Sequence, residues 1–265
     1  MSTLPQQPSF TMADRLPIID NLRSERVRNV VALGRRSFRI KRGLLRVEGP
    51  QAVRELLRFR PQMVRDVYSV SPEGELWELA QSVTKWCHQV SPEVAKAVGD
   101  ETQGIFAVCT TDALEPVDFE KWPLVILPRT QDPGNAGTII RSADAFGAAG
   151  VVMCRGSVDV TSPKVIRSSA GSIFHIPVSA GVEFSTVARH IGGKLIGAAG
   201  GGGPLSQEEL RQPHSWVFGN EAEGLTSEEI AQCDALVSVP MSGNAESLNV
   251  GVAAGICLFA SQEAR

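Results

Sequence analysis

Residues 126–146 read ILPRTQDPGNAGTIIRSADAF. An apolar strand, LVIL at 124–127, runs into a turn-rich loop ending in Asp132-Pro133-Gly134-Asn135, and a helix follows with Arg141 on its second turn. Strand, cradle loop and polar helix start form a ligand-holding unit of α/β proteins, because the first N–H groups and the dipole of the helix face whatever the loop holds. Two further turn-rich segments follow, VFGNEAEGL at 217–225 and VSVPMSGNAESLNVGVAAG at 237–255. Three such loops in one chain argue for a single composite site.

Outward from that stretch, short hydrophobic runs alternate with helical patterns. Strands are expected at 124–127, 151–154, 175–178, 195–198, 216–218 and 236–239. Helices are expected at 135–147, 163–171, 184–191, 206–211, 227–233 and 249–262. Short, uniformly apolar strands separated by helices predict a parallel sheet buried on both faces. Residues 200–203, four glycines, read as a flexible loop over the strand ends. The amino-terminal half predicts a helix at 15–33, a basic loop, strands at 44–48, 64–70, 86–90 and 105–109, and helices at 51–59, 75–83 and 92–98, hence a smaller α/β/α sandwich. Residues 111–122 are polar, acidic and Pro-containing, as a linker would be. The expected division is therefore an arm at 1–13, a first domain at 14–110, the linker, and a second domain at 123–265.

Several classes are excluded. The apolar runs are too short to span a bilayer, and residues 1–13 lack the basic start and apolar stretch of a signal peptide. The five cysteines and four histidines are scattered, with no C-x-x-C pair and no zinc or iron spacing. They read as buried thiols of a reducing cytoplasm, with no metal. The G-x-G-x-x-G of a dinucleotide fold, the Gly-Lys-Ser/Thr of a P-loop and the G-x-S-x-G of a hydrolase are all missing.

Charge is uneven. The net value is −3, yet residues 15–65 carry fourteen Arg or Lys against four Asp or Glu. Arg35, Arg36, Arg39, Lys41 and Arg42 are the densest cluster. Arginine forks match phosphate oxygens, so this half is expected to contact RNA or another polyanion. No series of aromatic residues suggests a single-strand stacking platform.

The three loops resemble the signature motifs of the SpoU, or TrmH, family of RNA ribose methyltransferases, of the SPOUT class. The first motif matches at Asn135, Gly137, Ile140, Arg141 and Ala143. The second matches at Gly219, Asn220, Glu221, Gly224 and Leu225, and the third at Val239-Pro240-Met241 with Ser247, Leu248 and Asn249. A basic segment between them matches at Pro163, Arg167, Ser168, Gly171 and Phe174. The resemblance covers about 123–262, in order and at the family's spacing. A weaker one links the first half to the ribosomal-protein-like substrate domain that many members carry.

The resemblance implies a deep trefoil knot, a homodimer, and transfer of a methyl group from S-adenosylmethionine to a ribose 2′-hydroxyl without a metal. Gly243, Gly251 and Gly255 would permit close threading, or simply tight helix packing. Arg141 would receive the hydroxyl proton or stabilise the developing alkoxide as a cation; guanidinium is almost never neutral, which favours the second role. Asn135 would orient Arg141, although it also fits a helix N-cap. Glu221 would brace the second loop or pair with an arginine. Ser247 and Asn249 would face the reacting centre, with plain helix capping as the alternative. Ala198, Gly219, Asn220, Gly224, Val239, Met241 and Leu248 would hold the cofactor. Arg167 would meet a phosphate or the methionine carboxylate, or make a surface salt bridge. The implied substrate is ribosomal RNA. Rivals are a tRNA enzyme of the same class, a non-catalytic RNA-binding or ribosome-assembly factor, and a small-molecule α/β enzyme.

Overall fold

The computed structural model describes residues 17–204 and 207–265; the arm expected at 1–13 lies outside them. The chain builds two sheets. The first has the order β1 (Leu44–Glu48), β4 (Ile105–Thr110), β2 (Val64–Ser69), β3 (Cys87–Gln89), with β4 antiparallel to both β1 and β2, and β2 parallel to β3. Strand alternation sorts its side chains. Leu45, Val47, Val67, Ala107 and Cys109 join the core with α3 (Pro50–Phe59) and α4 (Glu75–Val83), whereas Tyr68, Phe106 and Val108 join that with α1 (Glu25–Ala32) and α5 (Pro92–Val98). This is the expected α/β/α layering.

Two local expectations fail here. Residues 17–24 are not helical: Ile19 bridges Val90, and α1 starts only at Glu25, capped by Ser24. The expected basic loop is a helix, α2 (Arg36–Arg42), ended by Gly43 in the left-handed region at φ 62°. A glycine there ends a helix without the Cβ clash that other residues meet.

The second sheet is entirely parallel, in the order β10 (Ala235–Ser238), β8 (Lys194–Pro204), β9 (His214–Phe218), β5 (Leu124–Leu127), β6 (Gly150–Cys154), β7 (Val178–Val182). Every residue of β5, β6 and β9 is buried, which is why these strands read as unbroken apolar runs. The chain steps outward from β5 through β6 to β7, then crosses to the other side for β8, β9 and β10. Strand order thus reverses between β5 and β9. A crevice opens outside the carboxyl ends of a parallel sheet at such a reversal, because the loops there leave in opposite directions.

Residues 200–203 are not a loop. They extend β8, and Val237 and Ser238 pair with Gly203 and Pro204 across a register shift. At Gly202 a Cβ would lie 2.7 Å from the Leu236 carbonyl carbon, so the missing side chain lets the two backbones meet. The edge strand starts at Val178 instead of residue 175: Pro177 has no N–H to give, and His175 is held by Asp144 (2.7 Å) and Glu55 (3.2 Å). Residues 111–122 run beside this edge, with Val117 N donating to Ser179 Oγ (2.9 Å).

Candidate active site

The three turn-rich loops leave the carboxyl end of the second sheet, two from the neighbouring strands β5 and β9 and the third from the edge strand β10, on the far side of β8. The loop after β5 feeds α6 (Pro133–Ala145), whose cap is Asp132; its carboxylate accepts from Asn135 N at 2.7 Å. Pro133 takes the first helical position, where no N–H is needed. Asn135 is therefore the third helical residue and not the cap, and its side-chain amide is free to work elsewhere.

That amide joins the loops. Asn135 Nδ2 donates to Glu221 Oε1 (3.2 Å), and Asn249 Nδ2 donates to Asn135 Oδ1 (2.9 Å). Asn249 also caps the final helix, α11 (Val250–Ala264), accepting from Gly251 N (2.9 Å) and Val252 N (3.3 Å). Glu221 accepts from the backbone N–H groups of Gln131 and Asp132, both at 3.2 Å. Its burial alone would raise the carboxyl pKa. The bonds from its own backbone, Gln131, Asp132 and Asn135 outweigh that and hold it below the usual carboxylate value. Glu221 thus braces the first loop against the second and, among the described residues, pairs with no arginine.

The second loop is closed on itself. Asn220 and Gly224 exchange two backbone hydrogen bonds of 2.9 Å, with Gly224 at φ 69°. A Cβ at buried Gly219 would fall 2.2 Å from the Gly224 carbonyl carbon. Asn220 Nδ2 ties this turn to Arg129 O at 2.9 Å.

Arg129 itself was not singled out from sequence. Its Nε donates to Glu229 (2.8 Å), Nη1 to Glu223 (2.8 Å) and Nη2 to Gly224 O (3.2 Å). Its hydrogen bonds to Glu229 and then to Glu223 push its pKa up, so it is a fixed cation that spans the first two loops. The Thr226-x-x-Glu229 capping box that holds Glu229 was legible as a helix start, its partner across the sheet was not.

Arg141 lies exposed on α6 and, among the described residues, makes no hydrogen bond or ion pair. Asn135 does not orient it: that side chain is engaged with Glu221 and Asn249. Ser247 is exposed without a partner among the described residues. Ala198 and Val239 are half-buried, within β8 and just past β10, while Met241 and Leu248 are exposed by 42% and 36% on the third loop. Of the expected threading glycines, Gly251 is tight against Thr138 (3.0 Å), Gly255 is in ordinary contact with Ser142 (3.7 Å), and Gly243 stands open.

The basic residues divide. Arg35, Arg36, Lys41 and Arg42 are exposed. Arg39 is not an RNA contact: it is 2% exposed, donates to Leu33 O (2.8 Å) and Gly34 O (2.9 Å) at the end of α1, and pairs with Asp159 and Thr161 of the second half. Arg167 is also turned inward. It pairs with Glu48 of β1 at 3.0 Å and so joins the two halves, the salt-bridge alternative of its reading. The five cysteines are free, and burial pushes Cys87 and Cys233 up to about 11 and Cys154 and Cys257 up to about 12.

Residues 123–259 match the model of the SpoU rRNA Methylase family. The chain is 32% identical over 246 residues to the 23S rRNA (guanosine(2553)-2′-O)-methyltransferase RlmP of Bacillus subtilis, covering 91% of this chain and 97% of that one. It is 31% identical over 244 residues to the 23S rRNA (uridine(2479)-2′-O)-methyltransferase of Streptomyces viridochromogenes, covering 86% and 85%. Its fold is similar to that of an AdoMet-bound rRNA methyltransferase from Sinorhizobium meliloti, with TM-score 0.78, 26% identity, and 93% and 97% of the two chains covered.

Proposed function

The chain belongs to the SpoU rRNA Methylase family, and we propose that it methylates one ribose 2′-hydroxyl of 23S ribosomal RNA in the cytoplasm. It is an S-adenosylmethionine-dependent RNA 2′-O-methyltransferase. The observation that carries the site is the Asn249–Asn135–Glu221 chain, which joins three loops at the strand-order reversal. The residues present fit the cofactor. The side-chain-free turn at Gly219 offers backbone groups at close range, and Met241 and Leu248 leave apolar surface exposed on the third loop. When bound, S-adenosylmethionine supplies an electrophilic methyl group.

This chain's own residues do the rest. Ala198, Gly219, Asn220, Gly224, Val239, Met241 and Leu248 hold the cofactor, and Ser247 faces the reacting ribose. Arg141, a cation with no carboxylate partner among the described residues, sits beside the 2′-hydroxyl, lowers its pKa and stabilises the alkoxide as it forms. A guanidinium in a partly dry site does this without giving up its proton.

The exposed arginines and lysine of α2, Arg35, Arg36, Lys41 and Arg42, make residues 14–110 the RNA-holding domain. Their phosphate contacts give affinity, and folded RNA is recognised through shape. A second copy of the chain completes the assembly. Helix α11 is apolar all round, yet exposes Val252, Ile256 and Phe259 at i, i+4 and i+7; a helix apolar on every side is normally buried. The trefoil knot implied by the family is part of the same reading.

The test is a map of ribose methylation across rRNA and tRNA in cells with and without the gene, with Arg141→Ala as complement. One 23S nucleotide should lose its methyl group, and Arg141→Ala should not restore it despite normal cofactor binding. Loss confined to tRNA would overturn the substrate, and full restoration by Arg141→Ala would overturn the mechanism.

A further inference from the structure

A cavity of about 400 Å³ opens between α1, α2 and the first sheet, far in sequence from the methyl-transfer loops. Its size falls in the range of small-ligand sites. Two rings line it, Phe38 from α2 and Tyr68 from β2, and Val30, Leu33 and Val108 supply apolar walls. Asn29 and Asp66 bring hydrogen-bonding groups into the same space, and Arg26 and Arg42 contribute cations. The Arg42 guanidinium sits 5.3 Å from the Phe38 ring centroid.

Tyr68 is the telling member. The residue is only 4% exposed, and its ring stacks on Phe106 with centroids 4.8 Å apart. Its hydroxyl has no partner among the described residues, and the residue lines the cavity. A buried polar group is normally satisfied. Burial first, and then Asp66, raise the phenol pKa, so it stays protonated and able to donate. The neighbouring polar groups are already set: Arg26 Nη1 donates to His88 Nδ1 (3.1 Å) and His88 Nε2 donates to Asp66 Oδ1 (2.7 Å). The second carboxylate oxygen of Asp66 remains as an acceptor.

We propose that this cavity is a subsite for one unstacked base of the RNA, preferring a base whose edge presents N–H donors, such as guanine. It deepens the RNA reading above and rests on it. A flat aromatic ligand can lie on Phe38 and against the aliphatic walls, while Tyr68, flanked across the sheet by Phe106 and His88, presents its hydroxyl edge. The base edge meets Asp66, Asn29 and the Tyr68 hydroxyl, and the phosphates on either side meet Arg26 and Arg42 of the lining. A free phosphate would gain nothing from the apolar walls and would be repelled by Asp66. Single-stranded RNA is read in this way, by splayed bases stacked on aromatic or guanidinium planes and hydrogen-bonded along their edges.

Tyr68 is the only tyrosine of the chain, so ring-¹³C tyrosine labelling gives a single reporter at the site. The full chain, without cofactor, is titrated with GMP, AMP, CMP, UMP and ribose 5-phosphate. GMP should shift the signal most, with a dissociation constant on the order of 1 mM, and ribose 5-phosphate should not shift it. No shift with any nucleotide, or an equal shift with ribose 5-phosphate, overturns the proposal. On deproteinised 23S rRNA, Phe38→Leu and Tyr68→Phe, which keeps the stack on Phe106, should each bind more weakly, Phe38→Leu by roughly ten-fold. S-adenosylmethionine affinity should be unchanged. Unaltered RNA affinity in both variants would also overturn it. A silent tyrosine in a chain that methylates rRNA removes this subsite alone, whereas a chain that methylates no RNA removes the function from which the argument for RNA begins.

Discussion

Asn249→Asp separates the two jobs that one side chain performs. Asn249 caps α11 through its oxygen, with bonds of 2.9 and 3.3 Å to Gly251 N and Val252 N, and joins the first loop through its nitrogen, at 2.9 Å from Asn135 Oδ1. Aspartate caps as well as asparagine and is favoured by the helix dipole, so α11 should keep its stability within about 0.5 kcal/mol. The donor to Asn135 is lost, and two acceptors then face each other. Asn135 can turn its amide toward the new carboxylate only by giving up Glu221. One net hydrogen bond is worth about 0.5–1.5 kcal/mol, and the new acceptor clash adds to it. The third loop should therefore uncouple, with S-adenosylmethionine affinity falling by roughly five- to fifty-fold while the melting temperature hardly moves. Asn249→Ala should lower both, since it also removes a cap worth about 1 kcal/mol. Calorimetric titration of the cofactor and a thermal melt on both variants, with Asn135→Ala to close a double-mutant cycle, read the coupling directly. Wild-type cofactor affinity in Asn249→Asp, or a cycle whose coupling is zero, would refute the idea that this bridge assembles the site.

Three further outcomes follow from the geometry. Gly219→Ala should cut cofactor affinity at least ten-fold, because its Cβ meets the Gly224 backbone at 2.2 Å and backbone cannot step aside; calorimetry that finds unchanged binding would contradict this. Arg39→Met should cost about 2–4 kcal/mol in denaturant melts by leaving Asp159 with only the exposed Arg36, 3.8 Å away, as its cation, yet leave the salt dependence of RNA binding intact, whereas Arg36→Ala should lower the slope of log K against log salt by about one. Acid should loosen the joined loops and the contact between the two halves. Glu221, Glu229 and Asp159 are held below their usual values although burial pushes each upward. Their contribution is thus complete above a pH of about 4.5 and fades as pH falls through the lower folded values. Melting temperature against pH should show this acid limb, and Glu229→Gln should flatten it.

The parallel strands were legible because burial on both faces leaves an apolar run that no other setting favours, as in LVIL at 124–127. The three loops were legible for a similar reason. Turn residues such as Gly219, Gly224 and Asn220 answer to backbone geometry within a few positions. Local chemistry of this kind also announced the motifs that identify the family.

What remained closed to the sequence depended on partners far away along the chain. Arg36 and Arg39 are the same residue type three positions apart and both reach Asp159, yet Arg36 stays solvated at 3.8 Å while Arg39 is buried against it, 120 residues on. Arg167 reads equally as a ligand of a phosphate or carboxylate and as half of a salt bridge until β1 brings Glu48 to it. Asn135 reads as a cap until Asp132 takes that place and the sheet delivers Glu221 and Asn249 to its amide. The glycines at 200–203 read as slack, but strand pairing needs only backbone, and β10 supplies it. A polar side chain or a bare backbone can bond equally well to many partners, so its role is settled only when the tertiary structure chooses one, whereas an apolar or turn residue carries its preference within its own few neighbours.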